Sequence, residues 1–295
     1  MPELILDPQD GTPPLVLDWQ DGYAIQNGPL GLGLPPRKIV ERMRVDGHGT
    51  DLVATIIGAR DITVPLDVYG ATRQQFRQRR NRLQTICGRS THARPIRVTY
   101  RDDAGVPEWM QGTYVGGLDG DERAGDDRSE LFAIVLRDGC PYWRGPRVDE
   151  SWGLRRPTPR PWFPVLGSSP SASAIGGRRT LFVPGSAEVY PPWVVEGPGT
   201  RLTIHNRTAG WRVVIDHEIP SVGPASVITV TTAPGEQAVR DGHGVNLFGA
   251  ITNGPKGGWT MGPLLPGDNE LEVTLRASGD RSSVAVSYDP LLLAA

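Results

Sequence analysis

Between residues 59 and 100 the hydrophobic pattern changes period twice. Ile62, Val64, Leu66 and Val68 alternate with mostly polar neighbours, and a period of two predicts a strand that buries one face. Gly70 interrupts the alternation. Thr72 and Gln75 then have the spacing of a capping box, with Thr72 as N-cap, so a helix is expected over 73–87. Phe76, Leu83 and Ile86 or Cys87 fall near one face of that helix, while Arg73, Arg77, Arg79, Arg80 and Arg82 lie elsewhere. Gly88 is expected to close it, and alternation resumes over 95–100.

Elsewhere the pattern is that of strands and turns. Residues 4–6 and 15–19 read as opening strands separated by a turn at Asp10-Gly11, and 28–36 is a Gly/Pro loop. Strands are expected at 39–45 and 51–57 around the turn Asp46-Gly47-His48-Gly49, and at 110–115 and 131–136 around an acidic tip over 117–130. Alternation returns at Leu202/Ile204, Val213/Ile215, Ile228/Val230, Leu271/Val273/Leu275 and Val284/Val286/Tyr288. Between these stretches, 150–187 is rich in proline and serine. Proline supplies no N–H to a ladder, so this segment reads as a connector, docked by Trp152, Trp162, Phe163 and Phe182. The expected organisation is mainly β: a domain over 1–149, a connector over 150–187, and a second domain over 188–295.

Two ordered motifs resemble the distal tail proteins of siphophages, the ring-forming hub subunits of long-tailed bacteriophages. One is Arg60-x-Ile62-x-Val64, the arginine-rich helix over 73–83 and the strand over 96–100. The other is the aromatic-proline strand Tyr190-Pro191-Pro192-Trp193, with Gly197 and the strand-turn Ile204-His205-Asn206-Arg207-Thr208-Ala209-Gly210. The resemblance spans roughly two-thirds of the chain. It implies two β-sandwich-type domains, the first carrying the single arginine-rich helix and the second similar to galectins and carbohydrate-binding modules. It further implies a homo-hexameric ring at the virion tail tip, between tail-tube proteins and the tail-associated hub protein. The second domain would project outward and carry receptor-binding proteins or stay bare, and the genome would pass through the ring without sequence-specific binding.

Composition agrees with this picture. With 295 residues, two domains of about 100–150 residues are the default. Gly 37 and Pro 28 suit tight turns, and 38% apolar residues still supply cores. A net charge of −2 predicts no general attraction to nucleic acid or anionic membrane. Met1-Pro2-Glu3 is acidic rather than basic, and no apolar run approaches the ~20 residues of a membrane span. The expectation is therefore a chain made in the host cytoplasm without membrane insertion. Cys87 and Cys140 read as buried free thiols rather than a disulfide.

Motifs for catalysis are missing, and no catalytic residue, metal ligand or cofactor is assigned. The five histidines lack paired ligand spacing, and Asp216-His217-Glu218 on a strand would point to alternating faces. Gly28-x-x-Gly31-x-Gly33 runs into Pro35-Pro36, so it is a turn and not a phosphate loop. The carboxylates Asp119, Asp121, Asp126 and Asp127 suggest calcium. However, Arg123 stands where an EF-hand needs Asp or Asn and no closing Glu follows, which favours a solvated tip. Five arginines within ten residues of the helix could meet nucleic acid. Without interleaved aromatics, and with Asp61, Asp67, Asp102 and Asp103 nearby in sequence, ion pairing or a subunit interface through Arg73, Arg77 and Arg80 is the better reading. Trp211 is expected in a core. Trp259, in a Gly-rich loop, is the stacking candidate for the competing reading of a carbohydrate-binding adhesin.

Overall fold

The structure, a computed structural model, describes residues 3–102, 105–119, 128–153, 174–252, 261–279 and 281–295. The chain divides into two compact units: Met1–Pro146 with Leu292–Ala295, and Arg147–Leu291.

The first unit contains strands β1 (Glu3–Asp7), β2 (Leu15–Leu17), β3 (Tyr23–Ile25), β4 (Arg37–Met43), β5 (Thr50–Ile57) and β6 (Arg60–Tyr69). These are followed by helix α1 (Arg73–Gly88) and strands β7 (Ile96–Arg101), β8 (Pro107–Gly116), β9 (Ser129–Asp138) and β10 (Trp143–Arg144). One antiparallel sheet runs in the order β2-β1-β7-β8-β9-β6-β3. Long β8 serves both halves of it. Its first part pairs with β7 and its last residues pair with β9 beyond a register shift between Tyr114 and Gly116. A bulge at that place bends the strand, which lets the sheet fold over one core. The residues that alternate in sequence fill that core: Leu4 and Leu6, Ile62 through Val68, Ile96 and Val98, Met110, and Ile134 and Leu136, with Trp143 fully buried among them. Each such side chain contributes about 1.5–3 kcal/mol of burial.

Helix α1 seals this core with Phe76, Leu83, Ile86 and Cys87, which includes both of the alternatives offered at its C-terminal end. The capping box forms at its start. Thr72 Oγ1 accepts from Gln75 N at 3.2 Å, and Gln75 Oε1 reaches back one residue further than the usual pattern, to Ala71 N at 3.2 Å. The C-terminus falls at Gly88 as expected: Gly88 is the last helical residue, and the chain leaves through Arg89 at φ −86°. Ser90 Oγ donates to Cys87 O at 2.7 Å and so satisfies a carbonyl that a glycine cap would have served.

The second unit is a β-sandwich. One sheet is built from β11 (Val148–Gly153), β13 (Trp193–Glu196), β16 (Val227–Thr231), β17 (Ala238–Asp241) and β19 (Ser283–Tyr288), in the order β11-β19-β13-β16-β17; the other combines β12 (Ala174–Val183), β14 (Gly199–Asn206), β15 (Trp211–Ile219) and β18 (Gly267–Arg276), in the order β12-β18-β14-β15. The inner faces share one core holding Leu202, Ile204, Val213, Ile215, Ile228, Val230, Leu271, Val273, Leu275, Val284 and Val286. Trp152 packs against Trp193 with ring centroids 5.6 Å apart.

The connector over 150–187 is narrower than its composition suggested. Gly153 ends a strand, and Ala174–Val183 pairs along its whole length with β18. The reason is local: within the proline-rich stretch, 174–183 contains no proline, and Leu181 and Val183 alternate into the core. Trp162 and Phe163 lie outside the described residues, and Phe182 is exposed.

Candidate assembly surface

The two sequence motifs turn out to organise the fold from within. Arg60, which opens the first motif, is 1% exposed. Its Nε donates to Pro141 O at 2.9 Å. Nη1 donates to Gly31 O and Gly33 O, both at 2.6 Å, and Nη2 donates to Leu293 O at 2.6 Å. One guanidinium thus ties the 28–36 loop, the 139–142 loop and the last residues of the chain to the start of β6. Gly31 sits at φ +92°, and a Cβ there would collide with the Asp61 carbonyl. The glycine-rich stretch is therefore a turn that presents carbonyls to an arginine. Burial lowers the Arg60 pKa, while Asp138 acts in the opposite direction. The Arg60 guanidinium also lies 5.8 Å from the Trp143 ring centroid.

In the second motif, Asn206 is fully buried. Its Nδ2 donates to Asn269 Oδ1 at 3.0 Å and its Oδ1 accepts from Ala209 N at 3.0 Å, while Thr208 Oγ1 accepts from Glu270 N at 2.9 Å. Trp211 is core, as expected, and its Nε1 donates to Pro263 O at 2.7 Å. These polar residues close a turn rather than face a ligand. Burial pushes the Cys87 thiol up to about 12, and both cysteines are free.

The arginines of α1 separate into two groups. Arg80 pairs with Glu130 at 3.3 Å, and the glutamate side chain is only 8% exposed. Arg79 donates to Tyr69 O at 2.7 Å, and Arg82 donates to Pro14 O at 3.2 Å. These three fasten the helix to its own unit. Arg73 and Arg77 are exposed and have no ion pair or side-chain hydrogen bond among the described residues. Spaced i, i+4, they form the free part of the stripe proposed as an interface.

A second exposed feature was not foreseen. Strands β4 and β5 pair only with each other among the described residues, and none of their side chains is buried. Ile39, Met43 and Leu52 are 55%, 77% and 72% exposed. The register, with a shift between Val40 and Glu41, sets these three on one face. Arg44 pairs with Asp51 at 2.7 Å, and Thr50 donates to Glu41 at 2.9 Å on the same face as Ile39, Met43 and Leu52, so that face is mixed, with one polar bond among exposed apolar side chains. Adjacent apolar pairs, Leu52-Val53 and Ile56-Ile57, were the available signal. They break the alternation of a half-buried strand and put apolar groups on both faces. A two-stranded hairpin is marginal in isolation, and an exposed apolar patch of this kind marks an interaction site.

Asp119 is exposed, whereas the rest of the acidic tip and Trp259 lie outside the described residues. Among the described residues no cluster of His, Cys, Asp and Glu could hold a metal, and no helix is long and apolar enough to cross a membrane.

No family model matches the chain, and no curated protein matches it. Among solved structures, the Dit protein of SPP1, described as a paradigm of the hub adsorption apparatus in phages infecting Gram-positive hosts, superposes with a TM-score of 0.63. The match covers 98% of this chain and 99% of that one at 14% identity. The chain has the Dit fold. Chains of the phage P2 baseplate in its activated conformation, with Ca and with Sr, align at a TM-score of 0.48 and 12% identity, over 98% and 97% of this chain and 98% of theirs. Because the Dit likeness covers nearly the whole chain, it includes both units, the arginine-rich helix and the hairpin.

Proposed function

We propose that this chain is the distal tail hub subunit of a long-tailed bacteriophage. In this reading it is a structural protein of the virion tail tip with no catalytic role. The single observation that carries it is the Dit fold over 98% of the chain. Independent support comes from the first unit's two unpartnered surfaces, the Arg73/Arg77 stripe and the apolar hairpin, which suit a subunit that is completed by its neighbours. The first unit forms a closed six-fold ring, since one repeated subunit contact with a fixed rotation generates a ring. The ring joins the tail tube above to the tail-associated hub protein below, and the genome passes through its lumen without sequence-specific contacts. The sandwich unit faces outward, where it carries receptor-binding proteins or stands bare. Burial of Trp193 and Trp211 removes two stacking surfaces that the adhesin reading would use. Immunogold labelling of intact virions with antibody against this chain tests the placement. Gold at the distal tail tip is the expected result, and gold on the capsid or along the tail shaft is inconsistent with it.

A further inference from the structure

We infer that Leu293–Ala295 are a releasable strap that locks the base of the β4–β5 hairpin, and that withdrawing the strap frees the hairpin from the rest of the first unit. No side chain of β4 or β5 is buried, and the two strands pair only with each other among the described residues. The hairpin's two legs therefore decide where it stands. The leg into β4 is the 28–36 loop; the leg out of β5 runs through Gly58 and Ala59 to Arg60. Gly58 N donates to Pro36 O at 2.8 Å and joins the legs at the base. Further back, Leu30 and Thr63 exchange backbone bonds of 2.8 and 3.0 Å, and Arg60 Nη1 holds the carbonyls of Gly31 and Gly33.

The end of the chain ties into the same place. Leu293 O accepts from Arg60 Nη2 at 2.6 Å, and Ala295 N donates to Leu32 O, between the two clamped glycines, at 3.0 Å. The guanidinium is planar and rigid, and its side chain is 1% exposed. Loss of Leu293 O leaves Nη2 without an acceptor among the described residues. A buried donor without an acceptor is costly, so the plane turns to find water, and that turn takes Nη1 off Gly31 and Gly33. Leu34, Pro35 and Pro36 link Gly33 to β4. Pro35 is buried and acts as a pivot, and the fixed φ of both prolines passes the displacement on to Arg37. A two-stranded hairpin loosened at its base is marginal, so its own ladder opens as well. The strap itself is lightly held: Leu293 is half-buried, and Ala294 and Ala295 are exposed. The chain passes between its two units at two places, Pro146–Arg147 and Leu291–Leu292. From the second crossing it runs through Leu292, which packs against the first unit's core, straight to the Leu293 carbonyl. The second unit thus has a direct covalent line to the lock on the hairpin.

Hydrogen exchange read by mass spectrometry tests the strap on three chains: the full-length protein, one ending at Leu292 and one ending at Leu293. Removal of 293–295 is expected to speed exchange over 31–43 and 50–58 by about ten-fold or more, while α1, β8 and the strands of the second unit keep full-length rates. The chain ending at Leu293 places a terminal carboxylate where the lost carbonyl stood, a stronger acceptor for Arg60. Its hairpin should therefore stay within about three-fold of the full-length rates. Hairpin rates within about two-fold of full length in the chain ending at Leu292 overturn the strap. Equal acceleration of the hairpin in both shortened chains overturns Arg60 as the link. Loss of protection throughout α1 and β8 in the chain ending at Leu292 also overturns the inference, since the tail is then an integral part of the fold and not a releasable strap.

Discussion

Replacing Arg60 tests how the first unit is held together. The side chain is 1% exposed and donates four hydrogen bonds to the carbonyls of Gly31, Gly33, Pro141 and Leu293. Hydrogen bonds from a charged donor contribute roughly 1.5–3 kcal/mol each, but four that share one guanidinium are not additive. The nearer comparison is the cost of leaving a buried acceptor without its donor, about 1–3 kcal/mol each; with some of the four carbonyls regaining water, a total of about 3–5 kcal/mol is expected. Against a total stability of about 5–15 kcal/mol for a domain, that is a large fraction. For a unit of this size each kcal/mol lowers Tm by about 2–4 °C, so Arg60→Met should cost about 6–20 °C in scanning calorimetry. Arg60→Lys should recover only part of the loss, since an ammonium cannot span four carbonyls in a fork. Deuterium uptake should also rise at 292–295, where Leu293 is released. A transition within 2 °C of wild type, or unchanged exchange at 292–295 in a destabilised variant, would refute the clamp.

The helix arginines should separate by role. Arg80→Ala is expected to cost about 1–3 kcal/mol in denaturant titration, between an exposed and a buried pair, while Arg73→Ala with Arg77→Ala should leave stability intact and weaken assembly in sedimentation. Unaltered assembly with reduced, salt-sensitive DNA retention would instead favour a nucleic-acid contact. Glu108 provides a pH test. Burial first, and Asp102 second, raise its carboxyl above the ordinary value, and its Oε2 is buried without a hydrogen-bond partner among the described residues. Because the folded-state pKa lies above the unfolded one, the ionised folded form is disfavoured. Glu108→Gln should therefore stabilise the unit at pH 7, and the gain should vanish as pH falls through the raised pKa toward the unfolded value near 4.3; an equal effect at pH 3 and pH 7 would contradict this. Cys87, with its thiol at about 12, should resist iodoacetamide at pH 8 until the unit is unfolded.

Much of the strand content was legible because each unit buries one sheet face, so Ile62 through Val68 and Leu271 through Leu275 carry the period of two openly. Three features were hidden for distinct physical reasons. Strand β12 lies in a proline-rich stretch whose composition masks ten residues without proline. The exposure of β4 and β5 depends on what the hairpin packs against, which periodicity within one segment does not encode. Arg60 could be picked out only through the Arg-x-Ile motif. Its partners are carbonyls from 27 to 233 residues away, and backbone carbonyls have no side-chain signature in sequence. The capping box at Thr72 and Gln75 was visible because both partners lie within one helical turn. The end at Gly88 was legible for the same reason, and Ser90, two residues on, completes it by donating to the Cys87 carbonyl.

The mass and symmetry of the purified full-length chain bear most directly on the hub reading. Light scattering and negative-stain electron microscopy, on the chain alone and mixed with its tail-tube and hub neighbours, should give a closed ring with six-fold symmetry. A chain that remains monomeric in both settings would contradict the account.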